Sequence, residues 1–411
     1  MIRLTLLHRI REDILSGKAV VLLLVTVALM CASTALTVGE LQRRQKIYEA
    51  GAAAQEDLAP LLNRPELLSV LIHGVDADIY EGKSVAGTKV ERVPPAAYEN
   101  PLLALFPTPD LGFIVQYILS LFALMMAFDV AAGPKERRTL SLVFSNPVSR
   151  TGFFLGQCAG SYLSLALAFL LGLFGSVAIL VAMDAGNVDG AALLRIAGIA
   201  VVSLLYLGVF FMVGAMISAS TASSARAFVA SLLTWTVLVL VLSQSLMLLA
   251  GHLRRVPSIE VVTAETNAAR NQILAKENAF RTEWPKANQA TEAIENRYAR
   301  QVAAQERWMK AAARTSPAGS YQLATAVLAG TSSENAERYL DEVRAYLSRL
   351  RRFVYVEMEQ NPKAEQPVFF RRGDTLASLL ARAASDAALL VGWLALFGFL
   401  ALRRFQRYDL R

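Results

Sequence analysis

The side chains best able to act on another molecule gather in one short polar stretch, GPKERRTLSLVFSNPVSR, from Gly133 to Arg150. Lys135, Arg137, Arg138 and Arg150 face a single acid, Glu136, so the stretch is basic. Leu140, Leu142, Val143 and Phe144 add apolar side chains fit to fill a groove on a partner. The spacing predicts a short helix over 136–144. Asn146-Pro147 ends it, because proline lacks an N–H and disfavours helix in the residue before it. Ser149 or Thr151 then caps the third span. The same stretch also suits a basic anchor at the phosphate level of a membrane, and spacing alone does not separate the two uses. Elsewhere reactive groups are sparse. The three histidines, His8, His73 and His252, are dispersed and form no nucleophile–base constellation. His73 has no second His or Cys nearby and reads as structural rather than as a metal ligand. Cys31 and Cys158 fall inside apolar runs at different depths, which argues against a disulfide. Gly17-Lys18 lacks the upstream glycine and the hydroxyl of a phosphate-binding loop. A chain with this inventory is expected to be non-catalytic, with no cofactor and no metal of its own.

The elements that position this stretch are membrane-spanning. Of 411 residues, 55% are hydrophobic, above the roughly 45–50% of soluble domains, and the mean hydropathy is +0.40. The apolar residues fall in runs near the roughly 20 residues that a crossing helix needs. Six spans are expected, at 19–39, 111–132, 151–183, 193–217, 227–250 and 384–402. The fold class is mainly α, a polytopic membrane protein with an N-terminal interfacial helix and two extracytoplasmic insertions, the second mainly helical. The segments predicted inside (1–18, 133–150, the turn near 218–226 and the tail 403–411) carry thirteen Lys and Arg against four Asp and Glu. Short basic loops stay on the cytoplasmic side, so both termini are expected there. The net charge of +7 therefore belongs to the membrane surface, and nucleic acid is not an expected partner. The first apolar run is too long for a cleaved signal peptide and reads as a retained span.

Ile2, Leu6 and Ile10 recur at helical spacing near Arg9, which predicts an amphipathic helix on the inner membrane surface over 1–18. The alternative is a frayed, basic start to the first span. Residues 40–110 form a first outer domain, helical over 41–62, with short strands expected within 70–90 and a proline-rich return. Asp129, at the inner end of the second span, either reaches headgroup water, pairs with Lys135 or Arg138, or takes part in coupling. Gly156 and Gly160 share one helical face and permit close helix packing. Arg195, near the outer start of the fourth span, either snorkels outward, the favoured reading, or faces a polar interior. Residues 251–383 form the second outer domain. Val261 to Ala313 is helical in pattern and roughly 80 Å long if unbroken, with Pro285 expected to kink or split it. Thr331 to Glu334 reads as a capping box, and Asp374 as the cap of the helix feeding the last span. These charged helices serve either as a recognition surface or as a solvated scaffold. Gln116, Tyr117, Ser120, Gln244 and Ser245 are the few polar candidates for a pathway wall.

The stretch around Gly133–Arg150 also resembles the ABC transporter permeases of the type-2 exporter class, in the bacterial branch with long extracytoplasmic insertions. The matching residues are Asp129, Gly133, Lys135, Glu136, Thr139, Leu140, Ser145, Asn146, Pro147, Arg150, Leu155 and Gly156. Pro134 stands where the family has an acid, Arg138 where it has a glycine, and Gln157 where it has a lysine. Weaker echoes are Pro65-Glu66-Leu67-Leu68-Ser69 with Gly74, and Ser316-Pro317 with Leu328-Ala329-Gly330-Thr331. The resemblance implies that 133–150 is a coupling segment, with Asp129, Lys135, Glu136, Arg138, Thr139, Leu140, Asn146, Pro147 and Arg150 contributing. It implies an elbow helix at 1–18, a second permease copy, two ABC ATPase subunits that carry ATP and Mg, and the bacterial inner membrane. Three functions are then open as alternatives: an exporter subunit, a mechanotransmitter acting on a periplasmic partner, and a receptor or scaffold without an ATPase.

Overall fold

The computed structural model describes residues 2–54, 65–74, 84–86, 89–91, 109–145, 147–253, 255–275, 284–353, 367–369 and 373–408. They divide into two compact bodies, Met1–Thr236 with Ser320–Arg411, and Val237–Gly319.

The first body begins with α1 (Ile2–Leu15) and α2 (Lys18–Ala54). A two-stranded antiparallel hairpin comes next, β1 (Ser84–Ala86) with β2 (Lys89–Glu91), in the region where short strands are expected. Then come α3 (Leu111–Glu136), α4 (Thr139–Phe144), α5 (Arg150–Ala182) and α6 (Gly190–Ser220). The fifth long helix, α7 (Ser224–Leu253), crosses the boundary between the bodies. Among the described residues six helices are long and apolar enough to cross a membrane: α2, α3, α5, α6, α7 and α12 (Leu376–Gln406). The protein is a mainly α-helical, multi-pass membrane protein.

The helices run beyond their apolar cores because caps, not hydropathy, end them. Ser149 accepts from the Gly152 N–H, Asp189 from Ala192 and Thr375 from Ser378. Thr375, not Asp374, is thus the cap of α12; the Asp374 carboxylate is engaged by Arg338 and Arg382. The expected short helix over 136–144 is broken at Arg138, whose φ is +54°, and restarts at Thr139.

α6 and α3 are the centre of the first body: 67% and 61% of their most apolar windows are buried, against 12% for α7 and 17% for α12. A short helix, α10 (Pro317–Ala329), enters this centre from Ser320 onward. Tyr321 is fully buried and stacks on Tyr206, near the middle of α6, with ring centroids 4.5 Å apart. Arg195 does not snorkel. Its Nε donates to the Leu328 carbonyl at 2.7 Å, and its Nη2 lies 3.6 Å from Glu66 Oε2. The C-terminal carbonyls of α10 lack helical partners, and a cation there satisfies them. The two weaker echo segments meet at this end. Gly74 has φ +53°, and a Cβ on it would fall 2.4 Å from the Thr331 carbonyl oxygen. Thr331 is followed by α11 (Ser333–Arg352), capped by Ser332, which accepts from the Asn335 N–H.

The second body holds most of α7, then α8 (Ile259–Leu274) and α9 (Trp284–Ala313), which pack on each other. Pro285 is the second residue of α9 and starts it rather than kinking it, since a first-turn N–H has no helical acceptor to lose. Gln305 Nε2 donates to the Gly251 carbonyl at 3.1 Å, fastening α9 to α7.

Candidate functional site

Leu6, Arg9 and Asp13 share one face of α1, and Leu6 and Arg9 pack against α5 at Gly160. A Cβ on Gly160 would fall 2.8 Å from both the Leu6 carbonyl oxygen and Arg9 Cβ, so the missing side chain lets the helices meet. Arg9 is 2% exposed. Its Nε donates to Ser161 Oγ at 2.6 Å and its Nη2 to Asp129 Oδ1 at 2.7 Å. Nη2 is also 3.2 Å from Asp13 Oδ1, and Nη1 is 3.4 Å from Glu12 Oε2. Ser161 Oγ donates to Asp13 Oδ2 at 2.7 Å. Lys18 Nζ pairs with Asp129 Oδ2, and Arg137 Nη1 reaches Glu12 Oε1 at 2.9 Å. Three acids therefore meet three bases, the pairing that buried charges require.

Burial works against the Arg9 charge, but Asp129, Asp13 and Glu12 outweigh it and raise its pKa. Burial pushes the Asp13 carboxyl up, with Arg9 and Ser161 pulling the other way. Of the sequence readings of Asp129, a pairing is found, but not with Lys135 or Arg138: Asp129 pairs with Arg9 and Lys18. On α1 the buried face carries Arg9 and Asp13, while Leu4, Leu7, Ile14 and Leu15 are exposed. Ile10 is half-buried, and Ile2 opens the helix.

A second junction lies at Lys135 and Glu136. Lys135 Nζ donates to the Ala219 carbonyl at 2.5 Å and the Thr221 carbonyl at 3.1 Å, at the end of α6. It also lies 4.2 Å over the Tyr408 ring. Glu136 Oε2 accepts from the Ser224 N–H at 2.9 Å, at the start of α7. The cation thus caps a C-terminus and the anion an N-terminus, each matched to its helix dipole. Ser218 Oγ accepts from the N–H groups of Ala131 and Ala132, at 3.0 and 2.9 Å. Arg150 repeats the device: its Nη1 donates to the Gln406 and Tyr408 carbonyls, at 3.1 and 3.0 Å, past the end of α12.

Around these junctions Leu140 is buried, while Leu142 is 72% exposed and Thr139 and Pro147 are exposed. Asn146 lies outside the described residues. Of the pathway candidates, Gln116 and Ser120 are buried in and beside a π-helical segment of α3, Ile114–Leu119. The Gln116 carbonyl accepts from Tyr206 OH at 3.0 Å, and Ser120 Oγ accepts from Trp235 Nε1 at 2.9 Å. These carbonyl and hydroxyl groups serve helix packing. Tyr117 is half-buried, with its ring 4.7 Å from Phe113. Ser245 is exposed in the second body, and the Gln244 side chain is outside the described residues. Sequence reasoning missed Glu12, Asp13, Lys18, Arg137, Ser161 and Ser218 as partners. It also passed over Asp386, a carboxylate 1% exposed within α12, for which the signal was an acid in an apolar run.

Six apolar helices, with span ends gathered by one basic segment, define a multi-pass membrane protein. The chain belongs to the ABC-2 family of transporter proteins, whose family model matches residues 12–410. It is 36% identical over 114 residues to a probable ABC transporter permease protein NosY of Pseudomonas aeruginosa, covering 28% of this chain and 41% of that protein. A protein of the same description from Stutzerimonas stutzeri is 32% identical over 133 residues, 32% of this chain and 48% of the relative. The chain thus spans under half the length of the curated relatives it matches.

Proposed function

We propose that this chain is the membrane subunit of an ATP-driven exporter of the bacterial inner membrane, moved by ATPase subunits that bind below it. The observation that carries the reading is that residues 135–150 hold four structures at once. Lys135 grips the end of α6, Glu136 the start of α7, Arg150 the region past α12, and Arg137 the elbow helix α1. A push on the exposed Leu142 face of α4 would reach all four together. ATP and Mg would sit on the ATPase chains, two per complex, and coupling requires that their two states engage the segment differently. The basic segment faces the cytoplasm, as do both termini. A second copy of the chain would cover part of the apolar α7 surface, where Val229, Leu233 and Val237 are 53–62% exposed.

The test is co-purification. The tagged chain, extracted under conditions that preserve membrane complexes, should bring an ABC ATPase with it, and Leu142→Glu should release that ATPase while leaving the chain in the membrane. Recovery of the wild-type chain alone would favour the receptor or scaffold reading. A mechanical role on a periplasmic partner is the second reading. It is favoured by the second body, a separate helical unit whose charged surface includes Glu265 and Arg297. ATP turnover that depends on an envelope protein, and not on a cargo, would select it.

A further inference from the structure

A cavity of about 180 Å³ opens at the end of α6 that carries Arg195, the end opposite the Lys135 junction. Its wall includes Glu66, Arg195, Arg338, Glu342, Asp374 and Leu379. Most of these charges are already engaged. Arg338 holds Asp374 through two nitrogens, at 2.5 and 3.1 Å. Two are incompletely used. Arg195 spends its Nε on the Leu328 carbonyl, and its Nη2 meets Glu66 only at 3.6 Å. Glu342 is half-buried and, among the described residues, makes no hydrogen bond or ion pair. A carboxylate in a partly enclosed wall favours an ammonium donor, and an open guanidinium edge favours an anion. The cavity lies beside the starts of two apolar helices: Arg195 is in the second turn of α6, and Leu379 is in the first turn of α12. The volume is below the roughly 300 Å³ at which drug-sized pockets begin, so the ligand is small.

We propose that this cavity binds a phosphoethanolamine-type zwitterion, its ammonium donating to Glu342 and its phosphate accepting from Arg195. The source is either a phospholipid headgroup, with acyl chains descending beside Leu379, or the free zwitterion. A choline headgroup is a poor substitute, since a quaternary nitrogen has no N–H to donate.

The test uses the purified full chain in detergent, with short-chain phosphatidylethanolamine, phosphatidylcholine and phosphatidylglycerol and free phosphoethanolamine as probes. Binding is read by native mass spectrometry and by the shift in melting temperature. The ethanolamine lipid should bind at least tenfold more tightly than the choline lipid, and Glu342→Gln should abolish that preference. Glu342 has no partner among the described residues, so the variant should keep the melting temperature of the unliganded chain. Stepwise N-methylation of the headgroup gives the same reading from the ligand side, with affinity falling at the last methyl. Binding of free phosphoethanolamine assigns the site to a soluble zwitterion; binding of the lipid alone assigns it to the membrane. Equal affinity for the ethanolamine and choline lipids, or a preference that survives Glu342→Gln, overturns the proposal.

Discussion

Arg9 shows how much one side chain can organise when it is buried with its partners. It links α1 to α3 through Asp129 and to α5 through Ser161. Replacing it with Met would leave the buried Asp13 without its cation and Asp129 with Lys18 alone. Breaking such a pair from one side costs about 3–5 kcal/mol. The expected outcome is a sharply lower melting temperature in detergent, with Arg9→Lys intermediate because a lysine cannot reach three acceptors in a fixed fork. Arg138 predicts the opposite sign. Its φ of +54° is a conformation that disfavours side chains. Arg138→Gly should stabilise the chain by about 1 kcal/mol, read as a higher melting temperature. His73 predicts a pH dependence. Burial and the neighbouring Arg44 hold its pKa below the ordinary 6.5, with Asp110 and Glu40 opposing. A depressed folded pKa means that the stabilisation is present above 6.5 and is lost as pH falls through the folded value. The protection of the 65–74 amides, measured against their intrinsic exchange rates at each pH, should fall on acidification below pH 6.5, and His73→Gln should remove that dependence. Little of this was legible in the sequence. Arg9 and Asp129 each stood out, but they are 120 positions apart and no spacing rule joins them. The inward turn of Arg9 depends on Gly160, whose small size was visible but whose partner was not.

At the scale of elements, hydropathy revealed the six spans because an apolar run of that length has few other uses. Two features went beyond it. The helix expected from residue 41 onward is continuous with the first span: α2 runs to Ala54 through GELQRRQKIYEAGAAA, which is polar but still helix-favouring. Helix α10 looked like part of a solvated domain, since Ser320, Tyr321, Gln322 and Thr325 lower its hydropathy. In the fold its hydroxyls are satisfied locally, Thr325 Oγ1 donating to the Tyr321 carbonyl at 2.8 Å, and the helix is buried. The stretch 133–150 was recognisable as a unit, but its charges read as facing a partner. Lys135 and Glu136 instead cap α6 and α7 of the same chain, because helix ends supply strong acceptors and donors that sequence does not display. Lys135→Met should therefore act on the permease itself. It forfeits charged hydrogen bonds worth about 1.5–3 kcal/mol in all. Proteolysis or hydrogen exchange should show the 218–224 turn opening, with the rest of the bundle unchanged. A wild-type exchange pattern at that turn would show that Lys135 does not hold it.

For the molecule as a whole, the proposed handle makes a demand that a mere anchor does not. If 133–150 moves the spans, loosening its grips must separate ATP consumption from output without removing the ATPase. The grips at Glu136 and Arg150 suit this test. Both side chains bind backbone groups at span ends, Ser224 N–H in one case and the Gln406 and Tyr408 carbonyls in the other. Neither belongs to the buried Arg9 cluster, so membrane insertion should survive their loss. In Glu136→Ala with Arg150→Ala, the reconstituted complex should hydrolyse ATP near the wild-type rate while its output falls at least tenfold, whether the output is cargo moved or a partner displaced. Leu142→Glu, which alters only the exposed face of α4, should instead lose the ATPase itself. The two phenotypes separate transmission from attachment. A fixed anchor would show neither, because α6, α7 and α12 would then have no motion to receive; wild-type coupling in the double variant would mean that force enters the bundle elsewhere.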